Sequence, residues 1–158
     1  MGYTHYWYRE TEIAPEAWDA ITSEVTRIIE ESHIPIVGGD GESELEINDN
    51  VIWLNGIGAD AHETFVIERV IPADRQTIQN KQGLHFDFCK TNRKPYDLVV
   101  MASLLAMKRH LGQKIQISSD GDVIEWRPAG ELYGRVCGGK WVFDKAADTQ
   151  RWEAPDYV

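Results

Sequence analysis

The sequence has few of the residues that stabilise secreted proteins or anchor a chain in a membrane. It holds two cysteines, Cys89 and Cys137, without CxxC spacing, and this pattern favours free thiols in a reducing cytoplasm over a disulfide. No apolar run approaches the roughly 18 residues of a membrane helix, and the N-terminus lacks the basic and apolar regions of a secretory signal. We therefore expect a cytoplasmic protein that has no membrane partner.

The sequence also lacks the complete motifs of common catalytic and cofactor sites. It contains no GxGxxG, no P-loop and no GxSxG, and His62 has no second histidine four residues later to make a zinc helix. Asp87 and Lys90 resemble the acid and lysine of a metal-dependent nuclease, but their spacing directs them to opposite faces of a regular strand. We therefore expect neither a metal nor a cofactor.

Positive charge is scarce and unevenly placed. The chain carries 16 Lys and Arg against 26 Asp and Glu, a formal net charge of -10. Residues 1–80 have a net charge of -12, whereas residues 81–114 have a net charge of +5. The acidic balance disfavours extended contact with a nucleic-acid backbone. It leaves a local basic patch that suits a small anionic ligand.

The length and the hydrophobic periodicity predict one domain, with a core over residues 1–121 and a C-terminal extension over residues 122–158. Alternating and β-branched segments predict strands, whereas Pro15, Pro95 and apolar residues at helical spacing predict two helices. In chain order the predicted elements are strand 3–9, helix 15–32, strands 51–54, 64–71 and 84–90, helix 95–111, strand 114–118, and short strands in the tail.

This order predicts an α+β fold with an antiparallel or mixed sheet and two helices on one of its faces. It resembles the ferredoxin-like arrangement, which is built on a split βαβ unit. In our prediction the two strands that precede the helices, 3–9 and 84–90, are parallel neighbours in the middle of the sheet. Arg9 and Lys90 would then lie at the same end, and His5 and His85 would lie close along the sheet.

The most informative segment is residues 88–97, which place basic and hydroxyl groups between a strand and the start of a helix. Lys90, Thr91 and Arg93 can donate hydrogen bonds to a phosphate or carboxylate, and a helix N-terminus favours negative charge. Tyr96 offers a ring for stacking on a base or sugar. Four further polar residues on the first strand are expected nearby: Thr4, His5, Tyr6 and Arg9.

Three functions are compatible with this pattern. The first is binding of a small anionic, nucleotide-like ligand. The second is hydrolysis of a phosphodiester or nucleotide, with His5 or His85 as acid or base and Lys90 or Arg93 stabilising the transition state. The third is an acidic protein-interaction inhibitor whose first half imitates nucleic-acid charge. The sequence leaves these functions, and a homo-oligomeric state, open.

Several segments resemble an uncharacterised family of small bacterial and phage proteins. They are the opening MGYTHYW, HETF at 62–65, FCKT at 88–91 with Arg93 and PYD at 95–97, and SSDG at 118–121. The resemblance spans roughly residues 1–121. It implies an intracellular protein, located in the host cytoplasm where a phage encodes it, and it supplies no catalytic residues.

Overall fold

The computed structural model describes residues 2–143, 152–153 and 156–157, and it has the predicted α+β class. Its helices are α1 (Pro15–Ser32), α2 (Asp97–Leu111) and α3 (Val123–Cys137), with 3₁₀ turns at Gly58–Asp60 and Gly112–Lys114. Its strands are β1 (Thr4–Arg9), β2 (Glu46–Ile47), β3 (Val51–Leu54), β4 (Phe65–Glu68), β5 (His85–Lys90), β6 (Ile115–Ser119), β7 (Trp141–Val142), β8 (Trp152–Glu153) and β9 (Asp156–Tyr157).

Local sequence explains the elements on which the sheet depends. Aromatic and β-branched residues favour the extended backbone of β1, whose alternate side chains face the helices or the outside. Pro15 occupies the first turn of α1, and Trp18, Ile21 and Val25 recur on its buried face. The bounds predicted for α1, residues 15–32, are confirmed.

The main sheet has the strand order β5-β1-β6-β8, and all its neighbouring strands are antiparallel. β5 and β6 therefore run parallel on either side of β1, and α2 connects them as in a split βαβ unit. The predicted parallel pairing of β1 with β5 is wrong, since Thr4 pairs with Lys90 and Arg9 with His85. Arg9 and Lys90 consequently lie at opposite ends of the sheet, and so do His5 and His85.

Three other strands form a separate antiparallel sheet in the order β2-β3-β4. Ile52 and Leu54 of β3, and Phe65 and Ile67 of β4, point into the same hydrophobic core as Trp7 of the main sheet. The complete ferredoxin-like arrangement is not confirmed, because these strands build their own sheet instead of extending the edge of β5.

The predicted short strands of the tail are replaced, over its first part, by α3. Asp122 caps this helix by accepting a hydrogen bond of 2.8 Å from the Glu125 N–H, and Trp126 and Tyr133 are fully buried. α3 packs against α1 and α2, so it belongs to the core. Short strands do follow at β7, β8 and β9. Residues 144–151 lie outside the described residues.

α2 is the most deeply buried helix among the described residues. Val99 to Met107 are all buried, because α2 contacts α1, α3 and β6 on different sides. The described residues include no helix that is both long and apolar enough to cross a membrane. α2 begins where β5 ends and α3 begins where β6 ends, whereas α1 follows the end of β1 at the opposite end of the sheet.

Candidate functional site at the end of the main sheet

One end of the main sheet collects the start of β1 and the ends of β5 and β6. The strand register aligns Thr4 with Lys90, and His5 with both Cys89 and Ser119. Because α2 follows β5 and α3 follows β6, both helix N-termini lie at this end as well. We call this region the site end. Strand alternation divides its side chains between the inner face, toward the helices, and the outer face.

On the inner face, His5 is fully buried and has a polar partner at each ring nitrogen. Its Nε2 lies 2.7 Å from Asp97 Oδ1, and its Nδ1 lies 2.7 Å from Ser119 Oγ. A carboxylate only accepts hydrogen bonds, so a neutral His5 carries its proton on Nε2 and accepts the Ser119 hydroxyl at Nδ1. The geometry therefore polarises the Ser119 hydroxyl toward the imidazole.

Neighbouring groups hold this arrangement in place. The Thr91 hydroxyl donates to Asp97 Oδ1 at 2.5 Å, and the Gly121 N–H donates to Ser119 Oγ at 2.9 Å. Asp97 also occupies the first turn of α2, where the positive end of the helix dipole stabilises a carboxylate. We call His5, Thr91, Asp97 and Ser119 the His5 cluster. All four residues are buried.

Two aromatic rings enclose His5. Tyr3 and Trp126 both meet the imidazole edge to face, with ring centroids 5.0 and 5.2 Å away. The Tyr3 hydroxyl is buried and makes no hydrogen bond with a described residue. Burial, followed by the charges of Asp97 and Glu125, raises the pKa of Tyr3, so the phenol keeps its proton. The Glu125 carboxylate lies near the hydroxyl and contributes to this shift, but no direct hydrogen bond joins the two groups.

Gly121 is required for this packing. A Cβ at that position would lie 2.1 Å from the Tyr3 hydroxyl oxygen and 3.3 Å from Ser119 Oγ, and the first distance is far below van der Waals contact. The turn that contains Gly121 therefore closes directly over the two hydroxyls. Gly121 is itself buried beside them.

Cations surround the site end. The Arg93 guanidinium lies 4.1 Å from the centroid of the Tyr3 ring, and it pairs with Glu125 at 3.1 Å, which raises the pKa of Arg93. Arg93 and Asn92 both have left-handed backbone conformations, with φ of 57° and 53°. Lys90 and Lys94 make no ion pair with a described residue.

The nearby acids, by contrast, have partners. Asp97 belongs to the His5 cluster, Asp122 caps α3, and Glu125 pairs with Arg93. Asp120 accepts the Thr4 N–H at 3.0 Å. Lys90 and Lys94 are the cations at the site end that make no ion pair with a described residue, whereas Asp120 and Asp122 keep negative charges and accept hydrogen bonds from neutral N–H and O–H groups.

The outer face of the sheet carries a row of four aromatic rings. In the strand register Tyr6 lies opposite Phe88, and Tyr8 lies opposite Phe86. Neighbouring rings are 5.2 to 6.2 Å apart, and Phe88 remains 47% exposed. We call Tyr6, Tyr8, Phe86 and Phe88 the aromatic row. No described helix covers it, and Lys90 follows Phe88 on the same face.

Lys90 and Asp120 flank the aromatic row at the site end. Gly2 leaves room for Lys90, since a Cβ on Gly2 would lie 2.2 Å from Lys90 Cε. On the other side of β1, the Tyr6 hydroxyl donates to Asp120 Oδ1 at 3.2 Å. The outer face thus offers aromatic surface, one unpaired ammonium and one carboxylate within a short span.

The structure brings seven of the eight predicted site residues to this end, in different roles. Thr4, Tyr6 and Lys90 face outward or lie at the edge, whereas His5 and Thr91 form part of the buried cluster. Arg93 covers Tyr3. Tyr96 is buried, and its hydroxyl donates to the Glu63 carbonyl at 2.6 Å, so it is a packing residue and presents no ring for stacking.

The predicted position of Arg9 beside Lys90 is wrong, because the antiparallel register carries Arg9 to the opposite end of the sheet. There its guanidinium donates to the carbonyls of Glu68 at 2.5 Å and Arg69 at 3.0 Å. Burial lowers the pKa of Arg9 to about 10. Arg9 joins the two sheets through backbone contacts and lies away from Lys90.

Other candidate groups are occupied or inert. His85 lies 2.7 Å from the Thr11 hydroxyl and 2.5 Å from the Thr77 hydroxyl. Burial raises the pKa of Cys89 to about 12, so its thiol is no nucleophile at neutral pH. Within the part of the chain that the structure describes, no three His, Cys, Asp or Glu residues are grouped closely enough to hold a metal ion.

Sequence reasoning missed Tyr3, Phe88, Trp126 and the roles of Asp97 and Ser119. From the sequence alone, Asp97 is predicted as an acidic residue in the first turn of a helix, and Ser119 is predicted as a residue of a turn. Their contact with His5 spans 92 and 114 positions, so only the fold reveals it.

No protein family model, curated protein or solved structure matches the chain.

Proposed function

We propose that the protein binds a small anionic, nucleotide-like ligand at the outer face of the site end. The observation that carries this proposal is the aromatic row, in which Phe88 is exposed and which ends at Lys90, a cation without an ion pair among the described residues. Stacking of a base on an aromatic side chain contributes about 1–3 kcal/mol. Phe88, the most exposed ring of the row, is the main stacking surface.

Each part of a nucleotide has a chemical counterpart here. Lys90 binds the phosphate through charge, and Lys94 adds a second cation in the loop before α2, where Arg93 is already paired with Glu125. The Asp120 carboxylate, on the other side of β1, accepts a hydrogen bond from a sugar hydroxyl or a base amino group. The net charge of -10 restricts this binding to one short segment of a ligand instead of a long nucleic-acid backbone.

The biological role we attach to this binding is sequestration of a host signalling nucleotide in the host cytoplasm. It rests on the resemblance of the opening segment and the FCKT segment to small phage proteins. Sequestration requires the ligand to be recovered unchanged after long incubation with the protein.

Calorimetry with a panel of nucleoside mono- and diphosphates, the matching nucleosides and inorganic phosphate tests the proposal. We expect nucleotides to bind more tightly than either part alone. Phe88→Ala should weaken binding about 10-fold or more through lost stacking, and Lys90→Ala should do so by a similar factor and reduce the salt dependence.

Matched controls separate a local site from general surface effects. Ile57 is 48% exposed, close to the exposure of Phe88, and lies outside the site end. Ile57→Ala and Lys140→Ala should leave the affinity unchanged. The proposal fails if no nucleotide binds, or if the control variants lose as much affinity as Phe88→Ala and Lys90→Ala.

A further inference from the structure

The His5 cluster has the arrangement of a nucleophile, a base and an orienting acid. Ser119 Oγ and Asp97 Oδ1 each lie 2.7 Å from one nitrogen of the same imidazole. An activated serine requires a base within hydrogen-bond reach and a third group that fixes the ring of that base. Cluster geometry and roles, and not position in the chain, identify such a site.

The Tyr3 hydroxyl is a second observation. Both it and Ser119 Oγ lie within 3.3 Å of the point where a Cβ of Gly121 would stand. The hydroxyl is buried and makes no direct hydrogen bond with a described residue, although the Glu125 carboxylate lies near it. Beside a nucleophile, such a donor is suited to the negative oxygen that develops during acyl transfer.

We infer that Ser119, His5 and Tyr3 form a hydrolytic site for small carboxylic esters, with Asp97 as the positioning residue. The inference goes beyond ligand binding at the outer face and does not depend on it, because the two sets of side chains occupy opposite faces of the sheet. It requires the Gly121 turn to open, since Ser119 retains only 4% exposure in the closed arrangement.

The reaction balances with water as the second reactant. Ser119 Oγ bonds to the ester carbonyl carbon while His5 Nδ1 takes the serine proton, and Tyr3 donates a hydrogen bond to the resulting oxyanion. The carbon–oxygen bond to the alcohol then breaks, and His5 returns the proton to the departing alkoxide. Water, deprotonated by His5, releases the acid from acyl-Ser119 and restores the serine hydroxyl.

Asp97 contributes through the ring of His5. Its carboxylate holds the proton on Nε2, which leaves the Nδ1 lone pair facing Ser119. An asparagine at this position presents an amide that can donate to Nε2 and thereby favours the wrong tautomer. Asp97→Asn is therefore expected to slow acylation at least about 100-fold while the protein remains folded.

An uncharged fluorophosphonate and p-nitrophenyl acetate test the inference on the intact protein. We expect one covalent adduct in native protein, mapped to Ser119 by peptide mass spectrometry, and esterase turnover that Ser119→Ala abolishes. Ser118 is the matched control, because it is the neighbouring serine, faces outward and is more exposed. Ser118→Ala should retain labelling and turnover.

The result that overturns the inference is a native protein that takes no label, or a label that maps to Ser118 or persists in Ser119→Ala. This outcome is separate from the outcome for nucleotide binding. Ser119→Ala should bind nucleotides with unchanged affinity, and Phe88→Ala should be acylated at the wild-type rate. Because the labelled serine is identified in the wild-type protein, the test remains valid if a variant folds poorly.

Discussion

Within the described part of the chain a carboxylate pairs with a histidine at two places, and the two pairs differ in the groups that surround them. Asp97 meets His5 at the site end, whereas Glu24 of α1 meets His110 of α2 at 2.9 Å between the helices. Each pair has a nearby buried tyrosine. Tyr133 donates directly to Glu24, whereas the Tyr3 hydroxyl makes no direct hydrogen bond and only neighbours the Glu125 carboxylate. The comparison separates a pair whose tyrosine is hydrogen-bonded to it from a pair whose tyrosine is not.

The helix pair is fully satisfied and joins three helices. Glu24 accepts from Tyr133 and His110, and it also pairs with Arg109 at 3.5 Å. Burial and the bond to Glu24 raise the pKa of Tyr133. A network in which every member has a partner contributes to stability and leaves no group for a ligand.

The largest expected effect concerns this helix pair. Glu24→Ala leaves Arg109, His110 and Tyr133 without their shared acceptor, so it should lower the free energy of unfolding by about 3–5 kcal/mol. Urea unfolding followed by circular dichroism measures the change. Binding of nucleotides and acylation of Ser119 should persist at temperatures where the variant is folded. A loss below about 1 kcal/mol contradicts the structural role of the pair.

The two tyrosines give the sharpest contrast. Tyr133→Phe removes a hydrogen bond to a charged acceptor and should destabilise the protein by about 1.5–3 kcal/mol. Tyr3→Phe removes a hydroxyl that neighbours the Glu125 carboxylate without a direct hydrogen bond, so it should change stability by less than about 1 kcal/mol. In the acylation assay the ranking of the two variants should be the reverse of their ranking by lost stability. Tyr3→Phe should slow the acylation of Ser119, whereas Tyr133→Phe should not. Equal destabilisation by both substitutions would contradict the difference in hydrogen bonding between Tyr133 and Tyr3.

Gly121 offers a test of the closed turn over Tyr3. Gly121→Ala places a Cβ against the Tyr3 hydroxyl and should cost about 1–3 kcal/mol of stability through overpacking. The double variant Gly121→Ala/Tyr3→Phe should recover part of that loss, because the clashing oxygen is absent. A double-mutant cycle measures the coupling, and additive effects would show that the two groups do not touch.

The smallest effect appears at alkaline pH, where the two tyrosines should behave alike. Burial raises the pKa of both above the ordinary value of about 10 for an unfolded chain, so the unfolded state releases these protons first. Each tyrosine therefore adds a loss of stability, up to about 1.4 kcal/mol per pH unit, as pH rises above 10. In unfolding titrations Tyr3→Phe and Tyr133→Phe should each flatten this slope.

Local sequence patterns predicted much of the fold but not its register. The bounds of α1 and the existence of β1, β3, β5 and α2 follow from alternation, helical spacing and proline placement. Whether β1 runs parallel or antiparallel to β5 depends on contacts distant in sequence, and the error moved Arg9 to the wrong end. Pro128, Gly130 and Gly134 concealed α3, since the burial of Trp126 and Tyr133 overrides weak helix propensity.

The candidate site was predictable in its location more than in its chemistry. The basic segment before α2 does lie at the site end, as its strand–loop–helix pattern indicates. That segment predicts Thr91 as a hydrogen-bond donor to the ligand and Tyr96 as a stacking ring, yet Thr91 donates to Asp97 and Tyr96 donates to the Glu63 carbonyl. A residue type shows that a group can donate, and only the fold shows whether an acceptor already occupies it.

The most direct test of the site end is a nuclear magnetic resonance titration of the labelled protein with a nucleoside monophosphate. We predict saturable shifts at Phe88, Lys90 and Asp120, with the amides around Glu24 and His110 unchanged. Shifts confined to the helix pair, or spread evenly without saturation, would contradict the placement of the ligand at the end of the main sheet.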